Sequence, residues 1–138
     1  MYKILVLCTG NSCRSQMAEG LLNKFLKDEA EVYSAGTHPE KVNPYAIRVM
    51  NEEGIDISNN ISNNVEEYKN LYFDFVITVC NNAKESCPVF LNSKTSLHHS
   101  FSDPAMAQGE EQEVLSVYRK VRDELKEYLI LFCKKHLH

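Results

Sequence analysis

The stretch Tyr2-Lys3-Ile4-Leu5-Val6-Leu7-Cys8-Thr9-Gly10-Asn11-Ser12-Cys13-Arg14-Ser15-Gln16-Met17 passes from apolar to polar to mixed within its short length. Tyr2 to Leu7 is a nearly continuous apolar run of β-forming residues, which reads as a strand buried on both faces. The polar segment that follows, from Cys8 to Ser15, reads as a loop. From Ser15 to Lys27 the apolar residues Met17, Leu21, Leu22 and Phe25 fall on one side of a helix. Strand, loop and helix in that order form the opening unit of an α/β fold.

Outward from this unit the alternation continues. Glu31 to Ala35 reads as a second strand, closed by Gly36. Asn43 stands where a cap is wanted and Pro44 where a first-turn proline fits, so a helix carrying Ile47, Val49 and Met50 is expected up to Gly54. Ile57 to Asn64 is rich in Asn and Ser and reads as a loop. Phe73 to Val79 is a third strand, strongly apolar and, like the first, followed by a cysteine. Ser93 to His99 is a weaker fourth. From Glu110 onward Val114, Tyr118, Val121, Leu125, Tyr128 and Phe132 define a long amphipathic helix. The expected fold is therefore α/β: a four-stranded parallel sheet between helices, in three layers α/β/α. No internal repeat or linker divides residues 1–138, so a single domain is expected. In such sheets ligands bind beyond the carboxyl ends of the strands, where Cys8 and Cys80 both stand.

Composition narrows the function. With 43% hydrophobic and 25% charged residues the chain has the make-up of a globular protein. A net charge of -4, with 15 Lys and Arg spread along the chain, speaks against nucleic acid as a partner. No run approaches a membrane span, and Ile4 to Leu7 is too short for a signal sequence, so a cytoplasmic location is expected. Thiols stay reduced there, and the odd count of five cysteines argues against a disulfide framework.

The loop carries the chemistry. Thr9, Gly10, Asn11, Ser12, Cys13 and Arg14 can turn successive N–H groups inward around a tetrahedral oxyanion at a helix N-terminus. Gly10 permits a positive φ and Asn11 tolerates one. Arg14 offers a planar fork to the anion, and the same positive field favours a Cys8 thiolate. Ser15 can donate a hydrogen bond to that thiolate. Asp103, after the last strand and ahead of Pro104, is a carboxyl that could protonate a leaving oxygen, although an Asp-Pro pair alone reads as a turn.

Cys-x5-Arg-Ser after the first strand resembles the signature loop of the low-molecular-weight protein tyrosine phosphatases. The longer string Cys8-Thr9-Gly10-Asn11-Ser12-Cys13-Arg14-Ser15-Gln16-Met17-Ala18-Glu19-Gly20 resembles the thioredoxin-coupled arsenate reductases that share their fold. The likeness continues through Tyr33-Ser34-Ala35-Gly36, Val42-Asn43-Pro44, Ile55-Asp56-Ile57-Ser58, Asp103-Pro104 and Arg122-Asp123-Glu124. It implies a low-molecular-weight phosphatase-like fold, Cys8 as nucleophile, Asp103 as general acid, and arsenate as substrate, with phosphate or sulfate as its mimic. It further implies that Cys80 attacks Cys8 and Cys87 then attacks Cys80, leaving a Cys80–Cys87 disulfide for thioredoxin to reduce. The polar residues between the two could unwind to carry that disulfide outward. No tightly bound cofactor and no metal are called for, and the chain is expected to act as a monomer.

Alternatives follow from the same residues. A phosphatase needs only Cys8, Arg14 and Asp103, hydrolysing phosphomonoesters through a Cys8 thiophosphate. Such enzymes carry aromatic residues after the acid's Asp-Pro, whereas Ala105, Met106 and Ala107 follow here. Cys80 and Cys87 could instead be structural cysteines or a zinc pair, though zinc favours closer spacing and needs further ligands. A thiol sensor without catalysis is a third reading. Cys13 is expected to pack, with an off-pathway disulfide to Cys8 open to it, and Cys133 to lie on the last helix. His98 and His99 read as ordinary structure. Some members of the family hold a potassium ion with groups matching Asn11, Glu19 and Ser34. The remaining ligands, from a Thr-x-Asp stretch, are replaced here by Ile61 and Asn63, so no strong potassium dependence is expected.

Overall fold

The computed structural model describes residues 1–81 and 87–137. Four strands, β1 (Tyr2–Cys8), β2 (Ala30–Gly36), β3 (Phe73–Thr78) and β4 (Ser93–His98), alternate with helices α1 (Arg14–Phe25), α2 (Pro44–Asn51) and α3 (Glu111–His136). Short 3-10 turns occupy Val65–Tyr68 and Pro104–Met106. The strands form one parallel sheet in the order β2-β1-β3-β4. The α/β class and the four-stranded parallel sheet are as the sequence implied.

The apolar run that opens the chain lies at the centre of this sheet. Ile4, Val6 and Cys8 point into one hydrophobic cluster and Leu5 and Leu7 into the other. A strand buried on both faces needs such unbroken apolarity. β4 borders the sheet on one side only, and its partly buried and exposed residues alternate, which explains the weak signal of Ser-Lys-Thr-Ser-Leu-His.

All three α-helices contribute to the larger cluster, through Met17, Leu21 and Leu22 of α1, Ala46, Val49 and Met50 of α2, and a long stripe of α3. The opposite layer is thinner among the described residues. The 3-10 turn at Val65–Tyr68, Leu71 and Phe90 cover Leu5, Leu7, Ala35, Phe73 and Val76. Each fully buried Leu, Ile or Phe stabilises the fold by about 1.5–3 kcal/mol relative to exposure.

Local signals account for the helix ends. Asn43 Oδ1 accepts from Tyr45 N at 2.8 Å and Pro44 occupies the first turn of α2, as expected. Beyond α2 the chain turns at Gly54, whose φ of 74° suits glycine. α1 differs: Cys13 precedes it and no side chain caps its first turn among the described residues.

The chain leaves β1 for β2 on one side and returns to β3 on the other. The two crossovers part at the carboxyl end of β1, where a crevice opens in a parallel sheet. Cys8 is the last residue of that strand.

Candidate active site

The Cys8 loop is held from outside by its carbonyls. Thr9 O accepts from His38 N at 3.0 Å, Gly10 O from Glu40 N at 2.8 Å, and Ser12 O from Asn43 N at 3.0 Å. Asn11 O accepts from Gln16 Nε2 at 3.1 Å and Ser62 Oγ at 2.8 Å. In a trans peptide the N–H of the next residue points opposite to the carbonyl. Anchoring these four carbonyls outward therefore turns the N–H groups of Gly10, Asn11, Ser12 and Cys13 inward. Asn11 N, 3.3 Å from Cys8 Sγ, shows the result directly. Asn11 itself has a φ of 49°, the left-handed conformation that Asn tolerates.

Gly36, at the end of β2, is required by proximity. A Cβ there would lie 2.9 Å from Cys8 O and would run into Thr9 O. The carboxyl ends of β1 and β2 thus approach as closely as backbone allows.

Ser15 Oγ lies 2.9 Å from Cys8 Sγ and accepts from Asn11 Nδ2 at 2.7 Å. The Asn11 amide cannot flip without loss, because Asn63 N donates to its Oδ1 at 2.8 Å. With its acceptor side engaged, the Ser15 hydroxyl is free to donate to the sulfur. Arg14, 3% exposed, donates through Nη1 to Phe101 O at 3.2 Å and places Nη2 3.6 Å from Asp103 Oδ2. The other Asp103 oxygen accepts from Ala105 N at 3.0 Å, capping the 3-10 turn that Pro104 begins. Asp103 keeps a third of its side-chain surface in solvent.

These groups line a cavity of about 360 Å³ that opens over Cys8. Thr9, Gly10, Ser12, Cys13, Arg14 and Asp103, all named from the sequence, line it, and Ala105 and Met106 take the wall where a phosphatase would carry an aromatic slot. His38, Glu40, Asn81 and Ser102 line it as well. Sequence reasoning missed these four, and nothing in their local spacing signals them. Ser15 is buried and reaches the site through the Cys8 sulfur.

Cys80 and Cys87 are brought together as a disulfide, with Cα atoms 5.9 Å apart, while Cys8, Cys13 and Cys133 are free. Val79 N donates to Leu7 O at 2.9 Å, so the residues preceding Cys80 and Cys8 lie side by side. Cys80 is fully buried, whereas Cys87 is partly exposed at the edge of the same cluster. The expectation that the polar stretch between them unwinds falls on residues 82–86, outside the described ones.

Cys13 packs, as expected. Its Sγ lies 3.6 Å from Ser12 Oγ and 3.9 Å from Tyr118 OH, and burial pushes its thiol up to about 11. It is therefore a poor rival to Cys8 at neutral pH. His98 bonds Thr78 Oγ1 at 2.6 Å and Ser100 Oγ at 3.0 Å. His99 stacks against Phe101 and Tyr128, with ring centroids 4.6 and 4.8 Å away. Both histidines thus serve structure. Among the described residues no cluster of His, Cys, Asp and Glu could hold a metal ion.

The model of the low molecular weight phosphotyrosine protein phosphatase family matches residues 3–137. An arsenate reductase of Halalkalibacterium halodurans is 45% identical over 131 residues, covering 95% of this chain and 94% of that one. One of Bacillus subtilis is 44% identical over the same coverage. A solved structure described as an arsenate reductase in the phosphate binding state superposes with a TM-score of 0.83, at 32% identity and 98% coverage of both chains. The chain belongs to the low molecular weight phosphotyrosine protein phosphatase family, and relatives so similar along nearly its whole length carry the name arsenate reductase.

Proposed function

We propose that this protein reduces arsenate to arsenite through a cascade from Cys8 to Cys80 to Cys87. The observation that carries the reading is the Cys80–Cys87 disulfide just past the strand paired with β1, while Cys8 at the end of β1 is a free thiol at the start of the loop.

Arsenate enters the cradle of inward N–H groups and the Arg14 fork. The Cys8 thiolate attacks arsenic while Asp103 protonates the departing oxygen, which leaves as water, and a Cys8 sulfur–arsenic bond forms. The Cys80 thiolate next attacks Cys8 Sγ. The sulfur–arsenic bond breaks with its electron pair going to arsenic, so arsenic(V) becomes arsenic(III) and arsenite departs. Cys87 then attacks Cys80 Sγ, which frees the Cys8 thiolate and leaves the disulfide seen here. Two thiols have given two electrons and the nucleophile is regenerated. A small dithiol protein of the thioredoxin type returns the electrons, so no tightly bound cofactor takes part. We place this cycle in a monomer in the cytoplasm, where such reductants reside. Among the described residues no helix is long and apolar enough to cross a membrane.

Phosphomonoester hydrolysis is the second reading, favoured by the Arg14 and Asp103 pair that a phosphatase shares. One experiment separates the two. Reduced protein is mixed with arsenate and its disulfides are mapped in the parent and in Cys80→Ser. A Cys80–Cys87 bond that forms only with arsenate, and is lost in the variant, is expected. Thiols unchanged by arsenate, alongside brisk aryl phosphate hydrolysis, would overturn the proposal in favour of the phosphatase.

A further inference from the structure

Behind the oxyanion loop lies a polar knot of oxygen atoms. Glu19 Oε1 accepts from Ser34 Oγ at 2.8 Å, and Glu19 Oε2 from Asn60 Nδ2 at 3.0 Å. The same Asn60 nitrogen donates to Gln16 Oε1 at 3.0 Å. Gln16 in turn holds Asn11 O and Ile61 O, at 3.1 and 3.2 Å. Asn63 Nδ2 donates to Ser34 O at 3.3 Å and to Ile61 O at 3.0 Å, while its backbone N–H takes Asn11 Oδ1.

Asn11, Glu19 and Ser34, the residues whose likeness suggested a potassium ion, are thus gathered in one place. The donor set does not suit a resident cation. Only Glu19 is charged, and its two oxygens, Asn11 Oδ1 and Ser34 O each already accept from an N–H or O–H. An oxygen cage that binds a monovalent cation turns the lone pairs of its oxygens toward one point in place of the ion's hydration shell. Here the inward groups are amide nitrogens. An amide has two donors and no charge, and both donors of Asn60 are engaged, one on the carboxylate and one on Gln16.

We propose that the Asn60 amide, assisted by that of Asn63, stands in place of a cation and makes the geometry of the oxyanion loop independent of monovalent ions. Asn60 is a positioning residue. It orients Gln16, and Gln16 holds Asn11 O outward so that the next N–H faces the anion. The inference concerns the shape of the loop and applies whether the loop serves reduction or hydrolysis.

The test uses the full chain, reduced, in potassium, sodium or choline chloride at equal ionic strength. Thermal midpoint and phosphate affinity are measured for the parent, Asn60→Asp and Asn60→Ala. The parent should melt within about 1 °C in all three salts, with one phosphate Kd. Asn60→Asp sets a second carboxylate against Glu19, and at mildly alkaline pH the pair then requires a cation. Its midpoint should rise by about 3–5 °C in potassium or sodium over choline, with phosphate binding about fivefold tighter. Asn60→Ala should bind phosphate about tenfold more weakly in every salt. A parent stabilised by several degrees in potassium alone would overturn the proposal. So would an Asn60→Asp variant indifferent to cations, or, should that variant not fold, an Asn60→Ala protein with parental phosphate affinity.

Discussion

The Ser15 hydroxyl has a single proton to donate, and Asn11 decides where it goes. Because Asn11 Nδ2 already donates to Ser15 Oγ, the proton is directed at Cys8 Sγ 2.9 Å away. A hydrogen bond to a charged sulfur is worth about 1.5–3 kcal/mol. Ser15→Ala should therefore slow the attack by Cys8 about 10- to 100-fold, read as single-turnover loss of arsenate. Asp103→Asn removes the proton for the departing oxygen and should lower the same rate by about 10²- to 10⁴-fold. Cys13, held near 11 by burial, should escape alkylation by iodoacetamide until the pH nears 10. Peptide mapping of the alkylated, reduced protein checks this, and modification of Cys13 at pH 7 would refute it. The side chains proposed to perform chemistry were legible because they lie within a few residues of one another or follow a strand. His38, Glu40 and Ser62 were not, since two of them act through backbone N–H groups that any residue but proline supplies.

At the scale of elements, the contact between α2 and α3 rests on a cluster of charges as well as on apolar packing. Glu52, just past α2, accepts from Arg119 at 2.8 Å and from Arg122 at 2.8 Å, and Arg122 also donates to Val49 O. The Arg119 hydrogen bond, with Arg122 behind it, lowers the Glu52 carboxyl from its ordinary value near 4.5 to about 2. A lowered pKa means the folded state prefers the ionised form. The contribution is complete above about pH 4.5 and fades as pH falls through 2. Glu52 is 41% exposed, so solvent keeps the effect modest. Glu52→Gln should lower the thermal midpoint by about 2–3 °C at pH 7, and the gap should close on acidification through that window. A gap unchanged between pH 6 and pH 2.5 would count against the cluster. Leu125, fully buried on the same helix, should cost about 2–5 kcal/mol when cut to Ala, measured by denaturant unfolding. The helix was clear in the sequence but its inner face was drawn slightly off. Leu115 and Leu129 are buried where Val114 and Tyr128 were expected, and Arg122 lies inward. A helix that packs on two other elements along 26 residues presents a wide stripe, and periodicity alone cannot centre it.

For the whole molecule, the decisive feature is topological. Chain reversal on either side of β1 sets Cys8 in the crevice, and the parallel pairing of β1 with β3 sets the residues preceding Cys80 next to those preceding Cys8. The alternation of strands and helices makes this arrangement legible in the sequence. What stayed illegible was the thin layer over Leu5, Leu7 and Val76, built from a 3-10 turn and irregular chain that leave no periodic trace. The same topology accommodates both proposed readings: the loop around Cys8 joins β1 to α1, and Cys80, bonded to Cys87, follows the end of β3. The most direct measurement is a single turnover of fully reduced protein with arsenate and no added reductant, with arsenite and free thiols counted together. One arsenite per chain, two thiols lost from Cys80 and Cys87, and Cys8 recovered as thiol is the predicted result. Arsenite absent with all five thiols intact, from a protein that still hydrolyses an aryl phosphate, would contradict it.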